Sequence, residues 1–528
     1  MKTASRALGA VRARHGRREW RLAALGSTAL AIVTLLAACM LGPDYRRPEV
    51  QIPEGFKEGV DWQRADANPQ AAIDSTWWRM YGDEKLDSLV DQALRANQSI
   101  AAAEAAYRLA LATVEANRAG LFPTVTASFS ASRSGGNLAG LGAARGSGSS
   151  TAGAPGNSVV ALGSVNWELD LWGQIRRQIE EAKANAQASD AQLAGTRISI
   201  AASVATDYFA LRQADYDIRS LTEQRDAYAR ILAIVQTAYV QGGASNDDVL
   251  VVQEDLETVI ADLQTTQINR EHEEHALAVL AGVPPEAFSI APDPDYHFVA
   301  PAVPTSLPSQ LLERRYDVVS AERTAAAANA TIGVAEAAFF PTLTLSADGG
   351  FAHSTLAHLF TVPNRFWTLG PQLAQTIFDG GARTAAVHEA RASYDEQVAN
   401  YRNTVLGAFQ SVEDSLSSMN HLRAQESAFA NVLDSNTRLF ASQEAQFNAG
   451  AVSQQNVLTQ RLTLIQAQQS LRDTQALLAQ SHVQLVKNLG GGWQRDDADM
   501  ASTPAAASPA SESALLRPVA QQSSHSAD

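Results

Sequence analysis

A single cysteine, Cys39, serves the whole 528-residue chain, so no intramolecular disulfide can brace it and no thiol pair can hold a metal. Proline is missing between Pro155 and Pro284, and again between Pro371 and Pro504. Stretches of that length without the residue that breaks helices leave room for helices far longer than the globular mean of about 11 or 12 residues. Lysine is scarce, and acids outnumber bases 56 to 41, a formal charge of −15. A surplus of that sign speaks against nucleic acid as a partner. No phosphate-cradling glycine loop occurs, so no nucleotide chemistry is expected of the chain itself. The run His272-Glu273-Glu274-His275 is one residue short of the zinc spacing H-E-x-x-H, and reads as a solvated face of a helix. The remaining histidines, His353 and His358 among them, are scattered. The expectation is a protein without catalytic residues, metal or dissociable cofactor.

What is present begins with an address. Lys2, Arg6, Arg12, Arg14, Arg17, Arg18 and Arg21 form a basic region followed by the apolar run Leu22 to Ala38, a secretory signal pattern over residues 1–38. Seventeen apolar residues are at the short limit for a spanning helix, which disfavours a permanent anchor. Its end, Leu36-Ala37-Ala38-Cys39, resembles a bacterial lipobox, which implies cleavage before Cys39 and a covalent lipid, palmitate or a similar acyl chain, on that residue. Met40 stands where an Asp would favour retention in the inner membrane, so delivery to the outer membrane is expected. Removing the signal takes the net charge to about −21.

The chain then says one thing twice. Tyr239, Gly242, Ser245, Val249 and Leu250 recur 208 positions later as Phe447, Gly450, Ser453, Val457 and Leu458. Leu121-Phe122-Pro123-Thr124 pairs with Phe339-Phe340-Pro341-Thr342, and Gly173 with Arg176 pairs with Gly380 with Arg383. Two copies of one long unit point to an elongated architecture. Ile175, Ile179, Ala182, Ala186, Ser189 and Leu193 step by four and three, as do Val387, Ala390, Tyr394, Gln397 and Tyr401, a coiled-coil seam of mostly small residues. From Gly173 to Tyr239, one helix would reach ~100 Å at 1.5 Å per residue. Each such helix meets a Gly-x-x-Ser turn and returns through 246–281 or 454–489, ending near Gly282 or Gly490.

Between the helices the period changes to two. Val125, Ala127, Phe129 and Ala131 alternate with Thr and Ser after Pro123, and Leu343, Leu345 and Ala347 alternate with Thr, Ser and Asp after Pro341. Strands are expected at about 124–132, 159–170, 342–351 and 366–377, with residues 133–158 and 349–365 as exposed hairpin loops. Each strand has about the nine to eleven residues that a tilted strand needs to cross a bilayer. Four strands cannot close a barrel and an open edge is not tolerated in lipid, so several chains must share one. Two chains or three would satisfy that argument. Pro371 falls inside the fourth strand, where a bulge would absorb it.

These features, with the start Cys39-Met40-Leu41-Gly42-Pro43-Asp44-Tyr45-Arg46-Arg47-Pro48, the pair Trp77-Trp78, Leu311-Leu312-Glu313-Arg314-Arg315, Phe378-Asp379-Gly380-Gly381 and Leu489-Gly490-Gly491-Gly492-Trp493, resemble the TolC-type outer-membrane factor family over roughly residues 39–493. The nearest branch is the lipoproteins that serve resistance-nodulation-division efflux pumps. The resemblance implies an α+β membrane protein: a homotrimer with four transmembrane strands per chain in a 12-stranded barrel, continuous with a long coiled-coil periplasmic tunnel. It implies a passive exit duct for drugs or other small toxic molecules, working with a periplasmic adaptor, an inner-membrane resistance-nodulation-division transporter and outer-membrane lipid.

The resemblance also places the turns at Gly242, Ser245, Gly450 and Ser453 at the periplasmic tip, where carboxylates commonly narrow the entrance. Positions that often carry Asp in relatives are Asn456 and Thr459 here, whereas the first copy offers Asp247 and Asp248. A selectivity ring built from the first repeat is one reading of that swap. Acids that favour the helix dipole are the other. Residues 39–75 read as an extended lipid-anchored segment running down the outside of the barrel, 76–283 and 309–493 as the two repeats, 284–308 as a proline-rich linker, and 494–528 as a disordered tail. A channel for type I protein secretion and a non-conducting structural lipoprotein of the envelope remain alternatives.

Overall fold

The structure is a computed structural model that describes residues 40–50, 56–58, 75–134, 156–301 and 315–492. Cys39, residues 311–314, Trp493 and the tail lie outside the described residues, as does most of the first hairpin loop. After a 3-10 turn at Trp77–Tyr81 come helices α1 (Glu84–Ala96) and α2 (Gln98–Ala119), strands β1 (Thr124–Ser134) and β2 (Gly156–Leu169), and helices α3 (Gln174–Val240) and α4 (Asn246–Leu280). The second half follows as α5 (Tyr316–Ala337), β3 (Thr342–His353), β4 (Arg365–Ala374), α6 (Ala382–Asn448) and α7 (Gln454–Asn488). Duplication is visible in the lengths: α3 and α6 each have 67 residues, α4 and α7 each have 35, and α2 and α5 each have 22.

A 67-residue helix reaches ~100 Å, and nothing in its sequence stops it earlier. Ile175, Ile179, Ala182 and Ala186 are buried, so the small-residue seam does face other helices. Both long helices start from a glycine in the left-handed region, Gly173 at φ 82° and Gly381 at φ 95°. An aspartate just upstream secures each start. Asp170 accepts from the Ile175 and Arg176 backbone N–H groups and from Arg176 Nε, all at 3.1 Å. Asp379 does the same for Gly381 N, Arg383 N and Arg383 Nε. The repeated Arg is thus one end of a strand-to-helix staple whose other end is the aspartate, and the glycine that starts the second long helix is Gly381, one residue beyond the repeated Gly380.

The four strands form one antiparallel sheet in chain order, β1-β2-β3-β4. The ladder runs one to one through Leu345↔Pro371, so no bulge is needed to absorb that proline. β4 is an outer strand of the chain's sheet, the place where a sheet tolerates proline. No described helix is long and apolar enough to cross a membrane, which leaves the sheet as the candidate membrane part.

The largest core sits part way along α3. Trp77, Trp78, Tyr81, Leu86, Leu89 and Val90 pack on Tyr208, Phe209 and Leu211 of α3, with Leu277 of α4 and Val483 of α7. Residues of the expected linker belong to it: Ile290 is 2% exposed, and Phe288, Tyr296 and Phe298 close over the same aromatic cluster. The N-terminal segment also departs from expectation. It begins at the sheet–helix junction, where Leu41 N donates to Trp172 O at 3.2 Å, and then follows the helices, not the barrel. Asn329 donates to Pro43 O, Tyr45 OH to Glu322 Oε1, Arg47 Nε to Tyr401 OH, and Lys57 N to Glu413 Oε1. Polar partners spaced along α5 and α6 explain the path.

Candidate functional site

The sheet sorts its residues into two faces. Paired residues share a face, so the row Val125↔Val165↔Ala347↔Leu369 is apolar and the next row, Thr126↔Ser164↔Asp348↔Thr368, is polar. The alternation holds from the helix end up to the row Ala127↔Gly163↔Gly349↔Trp367; beyond it Leu162, Val160 and Phe366 also enter the polar face. Val125, Trp367 and Leu369 are each about three-quarters exposed, at 74%, 74% and 75%. An apolar face that none of the described residues covers, backed over that stretch by a face of Thr, Ser, Asn and Asp, is the pattern of a wall between lipid and water. Where the sheet meets the helices, Trp167 Nε1 donates to Leu121 O at 2.9 Å and Trp172 Nε1 to Pro341 O at 2.8 Å, with Phe340 4.8 Å from the Trp172 ring. Indoles at that level suit a membrane interface.

At the opposite end the two hairpin turns match atom for atom. Gly242 at φ 77° and Gly450 at φ 75° reverse the chain, and the backbone N–H groups of Gly243 and Ala451 reach back to Ala238 O and Gln446 O, both at 2.8 Å. Ser245 caps α4 and Ser453 caps α7. Only the first cap is a reciprocal box: Asp248 Oδ2 accepts from Ser245 N and from Ser245 Oγ, each at 2.8 Å. Those bonds hold the Asp248 carboxyl below its ordinary pKa, so it stays charged. Asp247 beside it is exposed, and its carboxylate has no partner among the described residues. Asn456 supplies its N–H to Ser453 Oγ, and Thr459 donates back to Gln455 O, both exposed. The tip therefore carries two acids in its first turn and none in the second.

Between the ends, side chains that appear from sequence to be ordinary helix charges form a buried clamp. Asp215 receives Arg212 at 3.0 Å and Arg270 at 2.7 Å; Arg270 also reaches Glu274 at 2.7 Å and Ile290 O at 2.7 Å. Glu274 in turn accepts from Ile290 N at 2.6 Å, so this member of the His272–His275 run anchors the connection between the repeats. His272 and His275 are exposed. His353 and His358 do come together, with rings 5.9 Å apart, but His353 Nδ1 is engaged with Thr355, and no group of three metal-ligating residues exists among the described residues. Cys39 lies outside the described residues; its neighbour Met40 packs on Gly173 at the sheet–helix junction.

The family model described as outer membrane efflux protein matches residues 89–283 and 307–491. Among individual proteins, the chain is 30% identical over 463 residues to the probable efflux pump outer membrane protein TtgC of Pseudomonas putida, covering 87% of this chain and 94% of that one. It is 29% identical over 494 residues to outer membrane protein OprJ of Pseudomonas aeruginosa, covering 90% and 97%. Among solved structures, the outer-membrane channel OprN superposes with a TM-score of 0.75 at 26% identity, over 87% of this chain and all of the other. With the amphipathic sheet, the paired long helices and the duplicated tip turns, these matches make the chain a member of the outer membrane efflux protein family.

Proposed function

We propose that this protein is the outer-membrane exit channel of a tripartite efflux pump, a passive duct through which drugs or other small toxic molecules leave the periplasm. The observation that carries the reading is the open four-stranded sheet, apolar on one face and polar on the other, continuous with helices of 67 residues. One chain has too few strands to enclose a pore, and both outer edges of its sheet need partners in lipid. Three copies joined edge to edge give a 12-stranded barrel with the polar rows lining the lumen. A periplasmic adaptor and an inner-membrane resistance-nodulation-division transporter supply energy and substrate choice, in keeping with a sequence that carries no phosphate-loop motif. Relatives named for efflux favour this over type I secretion, and a non-conducting envelope lipoprotein has no use for an amphipathic sheet.

A lipid on Cys39 fits the strap that begins at Met40, because that point lies at the membrane-facing end of the helices. At the other end, three copies of Asp247 and Asp248 place negative charge around the entrance, attracting cations and opposing close approach of the tips. Asp248 is tied into its cap, so Asp247 is the carboxylate able to turn toward the lumen. The test is planar-bilayer conductance of the purified mature protein with its oligomeric mass measured on the same sample. Cation-selective openings from a trimer support the duct; a monomer that never conducts refutes it. Asp247→Asn should lower the cation preference, and unchanged selectivity would remove the tip acids from the entrance.

A further inference from the structure

The charges of the sheet are divided between its faces. Among the residues of the four strands, the acids Glu168 and Asp348 both lie on the polar face. The bases Arg133, His353 and Arg365 all lie on the apolar face, in register with Asn157, Val159 and Phe351. All three sit at the strand ends farthest from the helices, Arg133 next to last in β1, His353 last in β3 and Arg365 first in β4. On the same face and near the same end stand Phe129, 60% exposed, and Trp367, 74% exposed. Neither arginine has a carboxylate partner among the described residues, whereas Arg176 and Arg383 at the helix end of the sheet are both paired with aspartates.

A cation on the lipid-facing side of a wall is costly unless its head reaches the polar boundary and finds an anion there. The arginines occupy opposite edges of the sheet, β1 and β4. Closing the barrel, which rests on the trimer proposed above, sets β4 of one copy beside β1 of the next, strands about 4.8 Å apart. Arg365 and the Arg133 of the neighbouring copy then stand on adjacent strands at the same rim. Two guanidinium forks facing one site match a doubly charged phosphate, whose oxygens accept paired N–H donors.

We propose that each of the three subunit seams carries, on its outer rim, a binding site for the monoester phosphate of an outer-leaflet glycolipid, made by Arg365 of one chain and Arg133 of the next. Trp367 and Phe129 hold the first part of its acyl chains. The site fastens the barrel at the joints where no covalent chain crosses.

Native mass spectrometry of the mature protein, released from phosphatidylcholine nanodiscs doped with bisphosphorylated lipid A or with phosphatidylglycerol, tests this. The wild type should retain lipid A about ten-fold better than phosphatidylglycerol, as expected for a few charge-assisted bonds. Arg133→Gln with Arg365→Gln should remove that preference while trimer mass and conductance persist. Arg365→Lys, which keeps the charge but not the fork, should assemble normally and lose most of it. Equal retention of the two lipids by the wild type, or full preference in either variant, overturns the site alone. A monomer without conductance in every lipid overturns the trimer and the seam with it.

Discussion

Asp215 and Arg270, 55 residues apart, meet at 2.7 Å with the aspartate side chain wholly buried. The pair ties α4 to the middle of α3, and because Arg212 shares the same carboxylate and Ala291 O, it also ties down the connection between the repeats. Arg212 stacks on Tyr208 at 4.8 Å, so the clamp and the aromatic core are one unit. Asp215→Asn would strand two arginines in that interior. A loss of about 3–5 kcal/mol is expected for breaking a buried ion pair from one side, read as a lower unfolding midpoint of the helical signal; a change below a few tenths would mean that Glu274 alone satisfies Arg270.

Gly333 on α5 touches the strap. A Cβ there would lie 2.7 Å from Leu41 O and 2.9 Å from the Arg177 side chain that holds Leu41 O and Gly42 O. Alanine gains about 1 kcal/mol of helix propensity over glycine, but overpacking costs about 1–3 kcal/mol. Gly333→Ala should therefore release the strap while leaving the helix intact. Tryptic cleavage after Arg46 should speed up; unchanged cleavage with unchanged helicity would show that the contact relaxes.

Asp217 on α3 and Asp473 on α7 both take an N–H of Gln213, and burial, reinforced by the Asp473 charge, raises Asp217 to about 7. Burial also raises Asp473, to about 6. A carboxyl raised above its unfolded value near 4 binds its proton better in the fold, so this seam loses stability as pH rises from about 4 through about 7. His482, buried against Tyr81 and lowered to about 4, has the opposite slope: its contribution falls as pH drops below about 6.5. Comparing wild type with Asp217→Asn isolates the first. The melting temperature of the variant should exceed that of the wild type at pH 8 and converge with it only near pH 4; parallel curves would dismiss the seam as a proton-linked joint.

The two tip caps differ in one bond pattern. Losing a serine N-cap costs about 1 kcal/mol, and Ser245 carries a reciprocal carboxylate that Ser453 lacks. Ser245→Ala should open the first turn of α4 to amide exchange more than Ser453→Ala opens that of α7. Equal exchange would mean that Asp248 caps through water as well as it does through serine.

The long helices, the strands and the turns were legible because each leaves a period or a breaker in the sequence: no proline across α3 and α6, alternation in β1 and β3, glycine at 242 and 450. The clamp was not. Arg212 with Asp215 and Arg270 with Glu274 sit at helical spacings that solvated charges use equally often, and only tertiary packing buries them. The connection at 284–308 read as a linker for its prolines, yet Ile290, Tyr296 and Phe298 find their partners on helices distant in sequence. The path of the N-terminal segment was not legible because many of its bonds are made by its own backbone, the Leu41, Gly42 and Pro43 carbonyls and the Lys57 N–H among them, which carries no residue-specific signal.

The sheet has an implication for biogenesis. In a lone chain β1 and β4 each present an outer edge without a strand partner among the described residues, beside an apolar face that no described residue covers. Such a surface invites any extended segment to add to it. The helical half buries its own cores within one chain, so it can form early; the sheet reaches a satisfied state only when its neighbours arrive. Maturation then depends on encounter between chains, with a rate that rises steeply with their local density, and a half-assembled copy is the species that a periplasmic chaperone or protease would meet.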